Sequence, residues 1–191
     1  MGKGRLEAFS DAVIAIAITV MVLELKVPHG ADWESLRSVI PALLTYLLSF
    51  AILGIYWNNH HHLLHATDHV NGAILWANLH LLFWLSLVPP ATAWVDDTSF
   101  APLPTAVYGV IQLMSGVAYF ILTRTILAHH GPDSRLARAI GKDFKGTISV
   151  LLYVAAVPLA FVNRWISVGL FVAVVLMWLV PDRRIEGRVE K

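Results

Sequence analysis

Of the 191 residues, 57% are hydrophobic and 14% are charged, against roughly 45–50% and about 25% in soluble domains. With a mean hydropathy of +0.66 the chain reads as a membrane protein. At about 20 apolar residues per helical crossing, it has no room for a soluble catalytic domain as well. The absence of cysteine excludes disulfides, thiolate catalysis and cysteine-bound zinc, and a net charge of +1 does not point to a nucleic-acid partner.

Runs without charged residues predict an all-α fold with six membrane helices in a single transmembrane domain, over residues 6–27, 38–62, 70–90, 103–127, 146–163 and 165–181. The first needs Asp11 and Glu24 to be tolerated near its ends. In the third, Pro89-Pro90 should stop the helix near Val88. Pro158 lies inside the fifth, and Pro181 stops the sixth. Only Asn163-Arg164 joins the last two, which predicts a tight antiparallel hairpin.

Six crossings place both termini on one side. That side gathers Lys3, Arg5, Arg124, Arg135, Arg138, Lys142, Lys145, Arg183, Arg184, Arg188 and Lys191, eleven in all. The other has Lys26, Arg37 and Arg164. The positive-inside rule then makes both termini cytoplasmic. Trp33, Trp57, Trp76, Trp94 and Trp165 fall near span ends, as an interfacial aromatic belt requires. The first apolar run lacks the pattern of a cleavable signal, and Leu6 stands where a myristoylation motif has Ser or Thr. The stretch from His129 to Lys145 reads as a basic amphipathic linker retained on the inside.

The first helix is the unusual one. Asp11 is an ionisable residue inside a span, which is costly and points to function. It either braces a polar network at the cytoplasmic end or sits at the interface, favoured by the helix dipole. Ala8, Ala12 and Ala15 form a small-residue stripe suited to close helix packing. Ile16, Thr19, Val20 and Leu23 form another stripe at helical spacing. A threonine on such a stripe ordinarily bonds its own i−4 carbonyl.

Arg5-x3-Phe9-Ser10-Asp11-Ala12, followed by Ala15-Ile16-x2-Thr19-Val20-Met21, resembles the signature of the transmembrane protein 175 family of potassium channels. The likeness extends to Trp57-x2-His60-His61 and to Asn78 followed by Pro89-Pro90, and it runs through all six helices in order. It implies a homotetrameric, potassium-permeable channel of the bacterial plasma membrane, with no enzymatic activity and no catalytic residues. The first helix of each subunit would line the pore. Family members lack a Thr-Val-Gly-Tyr-Gly filter loop, and none occurs here. The resemblance assigns the constriction to Ile16, a threonine layer to Thr19, and further pore positions to Val20 and Leu23. It assigns a bracing polar network to Arg5, Ser10, Asp11, His60, His61 and Asn78. Four isoleucines in a ring make a hydrophobic constriction that gates by dewetting, and four hydroxyls one turn outward offer oxygen to a partly dehydrated cation. The expected partners are three further copies of the chain, potassium and other monovalent cations, and membrane lipids. No metal and no cofactor are expected beyond the permeant ions.

His60, His61, His62, His65 and His69 admit two other readings. With Asp11 and Asn78 they could form the relay of a proton-coupled secondary transporter, although no paired broken helices in matching halves accompany them. Imidazoles at this spacing also suit a transition metal, as in a metal-dependent membrane enzyme. That chemistry needs several such boxes on one face, and only His129-His130 lie on the same side.

Overall fold

A computed structural model of the chain describes residues 2–67, 69–130 and 144–179. They form seven α-helices: α1 (Lys3–Leu23), α2 (Trp33–His65), α3 (Gly72–Ser86), α4 (Val88–Asp97), α5 (Pro102–His130), α6 (Phe144–Val162) and α7 (Arg164–Leu179). No strand occurs among the described residues. Since α3 and α4 run on as one 26-residue apolar stretch, there are six helical units. Five are long and apolar enough to cross a membrane, and α7, at 16 residues, is shorter.

Each helix boundary has a local cause. The Asp32 and Asn71 side chains accept from the backbone N–H groups of Ser35 and Ile74, capping α2 and α3. The exposed Asp32 carboxyl is held below its usual pKa by those bonds from Ser35. Pro89-Pro90 does not end the third span. The helix breaks at Leu87, and the prolines occupy the first turn of α4, where the missing N–H has no intrahelical partner to lose. The apolar stretch therefore continues to Asp97, beyond the limit of 90 expected from sequence. At its far end, Ser99 and Phe100 take left-handed backbone angles (φ 49° and 59°), and their N–H groups close on Asp96 and Val95 at 2.9 Å. Near the other helix ends the sequence limits are met to within a few residues, α2 excepted. It starts at Trp33 and carries Pro41 inside it. The expected linker falls largely on residues 131–143, outside those described, as do residues 180–181 of the sixth span.

At 1.5 Å per residue, α2 is about 50 Å long and exceeds a hydrocarbon core of roughly 30 Å. Lys3 Nζ donates to the carbonyl of His65 (2.8 Å), so α1 starts where α2 finishes. The hairpin of α6 and α7 turns at Asn163, whose Oδ1 accepts from Trp165 N, and Ser167 Oγ reaches across to the carbonyl of Ala156 at 2.7 Å. Trp178 Nε1 donates to Ser149 Oγ and brings the end of α7 back beside the start of α6. Gly109 permits the close approach of α5 to this hairpin: a Cβ there would stand 3.1 Å from the Phe171 ring and 3.2 Å from Val157.

Candidate functional site: the two faces of the first helix

One face of α1 is packed into the bundle through Leu6, Ser10, Ile14, Ala17 and Met21. The opposite face is exposed. Ile16 is 62% exposed, Leu23 77% and Val20 39%, and Thr19 is exposed with them. At 100° per residue, Ala8, Ala12, Ala15, Ile16, Thr19 and Leu23 fall within about 100° of arc. The two stripes that the sequence separates are thus one face. This corrects the expectation that Ala8, Ala12 and Ala15 pack against the other helices: all three are exposed in the single chain, and of the alanines of α1 only Ala17 is buried.

Thr19 Oγ1 donates to the Ala15 carbonyl at 2.8 Å. This is the ordinary i−4 bond of a helical threonine, and it coexists with an outward position. The bond uses the single hydroxyl proton, so the oxygen presents only lone pairs outward. An acceptor without a competing donor is the arrangement a cation prefers.

Two polar connections hold the packed side of α1 near its start. His60 Nε2 meets Asn78 Oδ1 at 2.7 Å, Asn78 Nδ2 donates to Ser10 Oγ at 2.9 Å, and Ser10 Oγ donates to the Leu6 carbonyl at 2.8 Å. With the Asn78 amide oriented this way, His60 Nε2 is the donor, and the chain of bonds runs in one direction from α2 through α3 to α1. His60 is 1% exposed, and Ser10 and Asn78 are fully buried. The second connection is separate: Trp57 Nε1 donates to Asp11 Oδ1 at 3.0 Å. The six residues grouped by the sequence therefore divide. Ser10, His60 and Asn78 are joined. Asp11 pairs with Trp57, which the sequence reading placed in the aromatic belt. His61 is exposed and stacks on the Trp57 ring (6.1 Å between centroids) and on His65 (6.0 Å). Arg5 is exposed on the other side of the helix.

Farther along, Ser49 Oγ lies 2.7 Å from Thr92 Oγ1 and 2.9 Å from Tyr108 Oη, all three buried, with Met21 Sδ 4.0 Å from the Thr92 hydroxyl. Sequence reasoning missed this group because it counted charges, not hydroxyls, inside the spans. A cavity of about 20 Å³ adjoins it, lined among others by Met21, Glu24, Tyr46, Thr92 and Asp96. Beyond α1, Lys26 Nζ bonds Asp97 Oδ1 at 2.6 Å, and that carboxylate raises the ammonium pKa above its usual value.

The remaining histidines serve local contacts. His129 Nδ1 takes the Asn71 amide at 3.1 Å, and the His69 backbone N–H points to His130 Nε2 at 3.4 Å. Among the described residues no three His, Asp or Glu side chains are placed to share a metal.

Residues 5–89 match the model of the family described as endosomal/lysosomal potassium channel TMEM175. A potassium channel of Chryseobacterium sp. (strain P1-3) is 53% identical over the whole length of both chains. The chain belongs to the TMEM175 family. A potassium channel of Streptomyces collinus is 35% identical over 84% of each chain. Among solved structures, the crystal structure of a lysosomal potassium-selective channel TMEM175 homolog from Chamaesiphon minutus superposes with a TM-score of 0.78 at 33% identity, covering 93% of this chain and 96% of that one. As a TMEM175 family member the chain is a multi-pass membrane protein of a potassium-channel family, not an enzyme.

Proposed function

We propose that the chain is one subunit of a homotetrameric, potassium-permeable channel of a bacterial plasma membrane, with both termini cytoplasmic and the exposed face of α1 lining the pore. The observation that carries this reading is the exposed row of Ile16, Thr19, Val20 and Leu23 on a helix whose other face is fully engaged. One α1 cannot enclose a pore, and four related by rotation can. Ile16 then forms the apolar constriction, which closes by dewetting, and Thr19 contributes an oxygen layer one turn outward. Ser10, His60 and Asn78, together with the Trp57–Asp11 pair, brace the cytoplasmic half of α1 from behind, whereas Arg5 stands on its exposed side. The eleven-to-three division of Lys and Arg supports the orientation.

Purified chain reconstituted in liposomes tests the function. Potassium flux that needs no proton gradient is expected; obligate coupling to protons would make it a transporter. Detergent-corrected mass tests the assembly, with four copies expected and a conducting monomer contradicting it.

A further inference from the structure

The last turns of α2 carry His61, His62 and His65, all exposed. The bonds that brace α1 run through Trp57 and His60 and use none of these three rings. His61 and His65 are four positions apart, which sets them one above the other on one face of the helix. Their rings lie nearly parallel, with centroids 6.0 Å apart and planes 20° from each other. His62 is turned edge-on to His61, at 66° and 5.6 Å, since neighbours in sequence project about 100° apart around a helix.

Two histidines at i and i+4 on one helix face are a chelating arrangement, because each imidazole can turn one nitrogen toward a shared point. Metal–nitrogen bonds of about 2.0–2.1 Å put the two ring centres about 5 Å apart. The separation in α2 has to shorten by about 1 Å, which exposed side chains reach by small rotations within their rotamer wells. Neutral imidazole suits zinc, nickel and copper, whereas magnesium and calcium take oxygen ligands. No third His, Asp or Glu among the described residues completes the set, so water fills the other positions on the ion.

The local charge favours a cation. The pair occupies the C-terminal end of α2, the negative end of the helix dipole. The Lys3 ammonium already lies there, bonded to the His65 carbonyl at 2.8 Å, and Glu7, 4.0 Å from that ammonium, offsets its charge. On the other side, His61 stacks on Trp57, whose indole N–H holds Asp11. The pair therefore adjoins the connection between α2 and α1.

We propose that His61 and His65 form an open two-imidazole site for a divalent transition metal at the His-rich end of α2. The site is contained within one chain and does not depend on α1 lining a pore.

The full chain, in detergent and free of any purification tag, tests it by calorimetric titration with Ni²⁺ alone. The wild type should show a binding event of one ion per chain. His61→Ala and His65→Ala should each weaken that event by about tenfold or more, since even an indirect partner of a metal ligand carries about 10–100-fold in affinity. His62→Ala should leave it in place. Because His61 also stacks on Trp57, His65→Ala, which keeps that stack, decides the matter if His61→Ala fails to fold. Titrations of His65→Ala and wild type that superimpose would overturn the proposal. So would an event lost with His62→Ala alone, which would put the metal elsewhere.

Discussion

Along α1, the row Leu6, Ser10, Ile14, Ala17 and Met21 is packed, whereas the row Ala12, Ile16, Thr19 and Leu23 stays exposed within its own chain. The two rows are similar in composition: each mixes large aliphatic residues, alanine and one hydroxyl. What separates them is the partner of the hydroxyl. Ser10 receives a hydrogen bond from Asn78 on another helix, and Thr19 is tied only to its own backbone. In lipid, apolar surface alone does not choose which face packs, because hydrocarbon solvates leucine as well as another helix does. Directed polar bonds make the choice, and they leave the other face available for a pore.

The comparison breaks most readily at Asn78. Asn78→Leu removes two hydrogen bonds at once and leaves the His60 ring and the Ser10 hydroxyl buried without their partner. A loss of about 2–5 kcal/mol in thermal or denaturant unfolding is expected, with the ion preference of whatever assembles unchanged. An unperturbed melting temperature would mean that the packed face is not held by this chain of bonds.

The exposed face should respond in the opposite way. Ile16→Asn is expected to leave the stability of the chain nearly unchanged while raising conductance or making the channel leaky, since the ring becomes wettable. Liposome flux and single-channel recording check it. Unchanged flux and ion preference would remove Ile16 from the pore.

Thr19→Val sharpens the distinction further, because it deletes a hydroxyl whose proton is already spent on Ala15. Reversal potentials under bi-ionic potassium/sodium conditions should shift so that the permeability ratio moves toward unity. If the hydroxyl serves the helix alone, stability changes slightly and the ratio stays where it was.

Smaller effects are expected at the rim. Trp57→Phe keeps a ring against His61 but removes the donor to Asp11. A destabilisation of about 1 kcal/mol is expected, visible in the melting temperature of the purified protein. Lys26→Met removes a solvent-exposed ion pair with Asp97, and no measurable change in melting temperature is expected, as for most such pairs.

Much of this architecture was legible in the sequence. Six apolar stretches, the hairpin at Asn163 and the motif-bearing first helix follow from charge-free runs and spacing. Pro89-Pro90 marked the helix break expected near Val88, which falls at Leu87, but not the helix that resumes at once and runs to Asp97, because proline both ends one helix and begins the next. The faces of α1 were harder to read. Two stripes of similar hydropathy do not disclose which one meets protein, so the alanines were assigned to the wrong contact. Trp57 was visible within its motif, but an indole near a span end reads equally well as a belt residue, and its bond to Asp11 depends on how α1 and α2 pack.

The central claim, that the exposed face of α1 lines the conduction path, can be tested directly because the chain has no cysteine of its own. Single substitutions to cysteine along α1, reconstituted and treated with a small water-borne thiol reagent during conduction, report which positions face the permeating ions. Block is predicted for Ile16→Cys, Thr19→Cys, Val20→Cys and Leu23→Cys, and no block for Ile14→Cys, Ala17→Cys or Met21→Cys. Block at the second set with none at the first would place the pore on the other side of the helix and contradict the account.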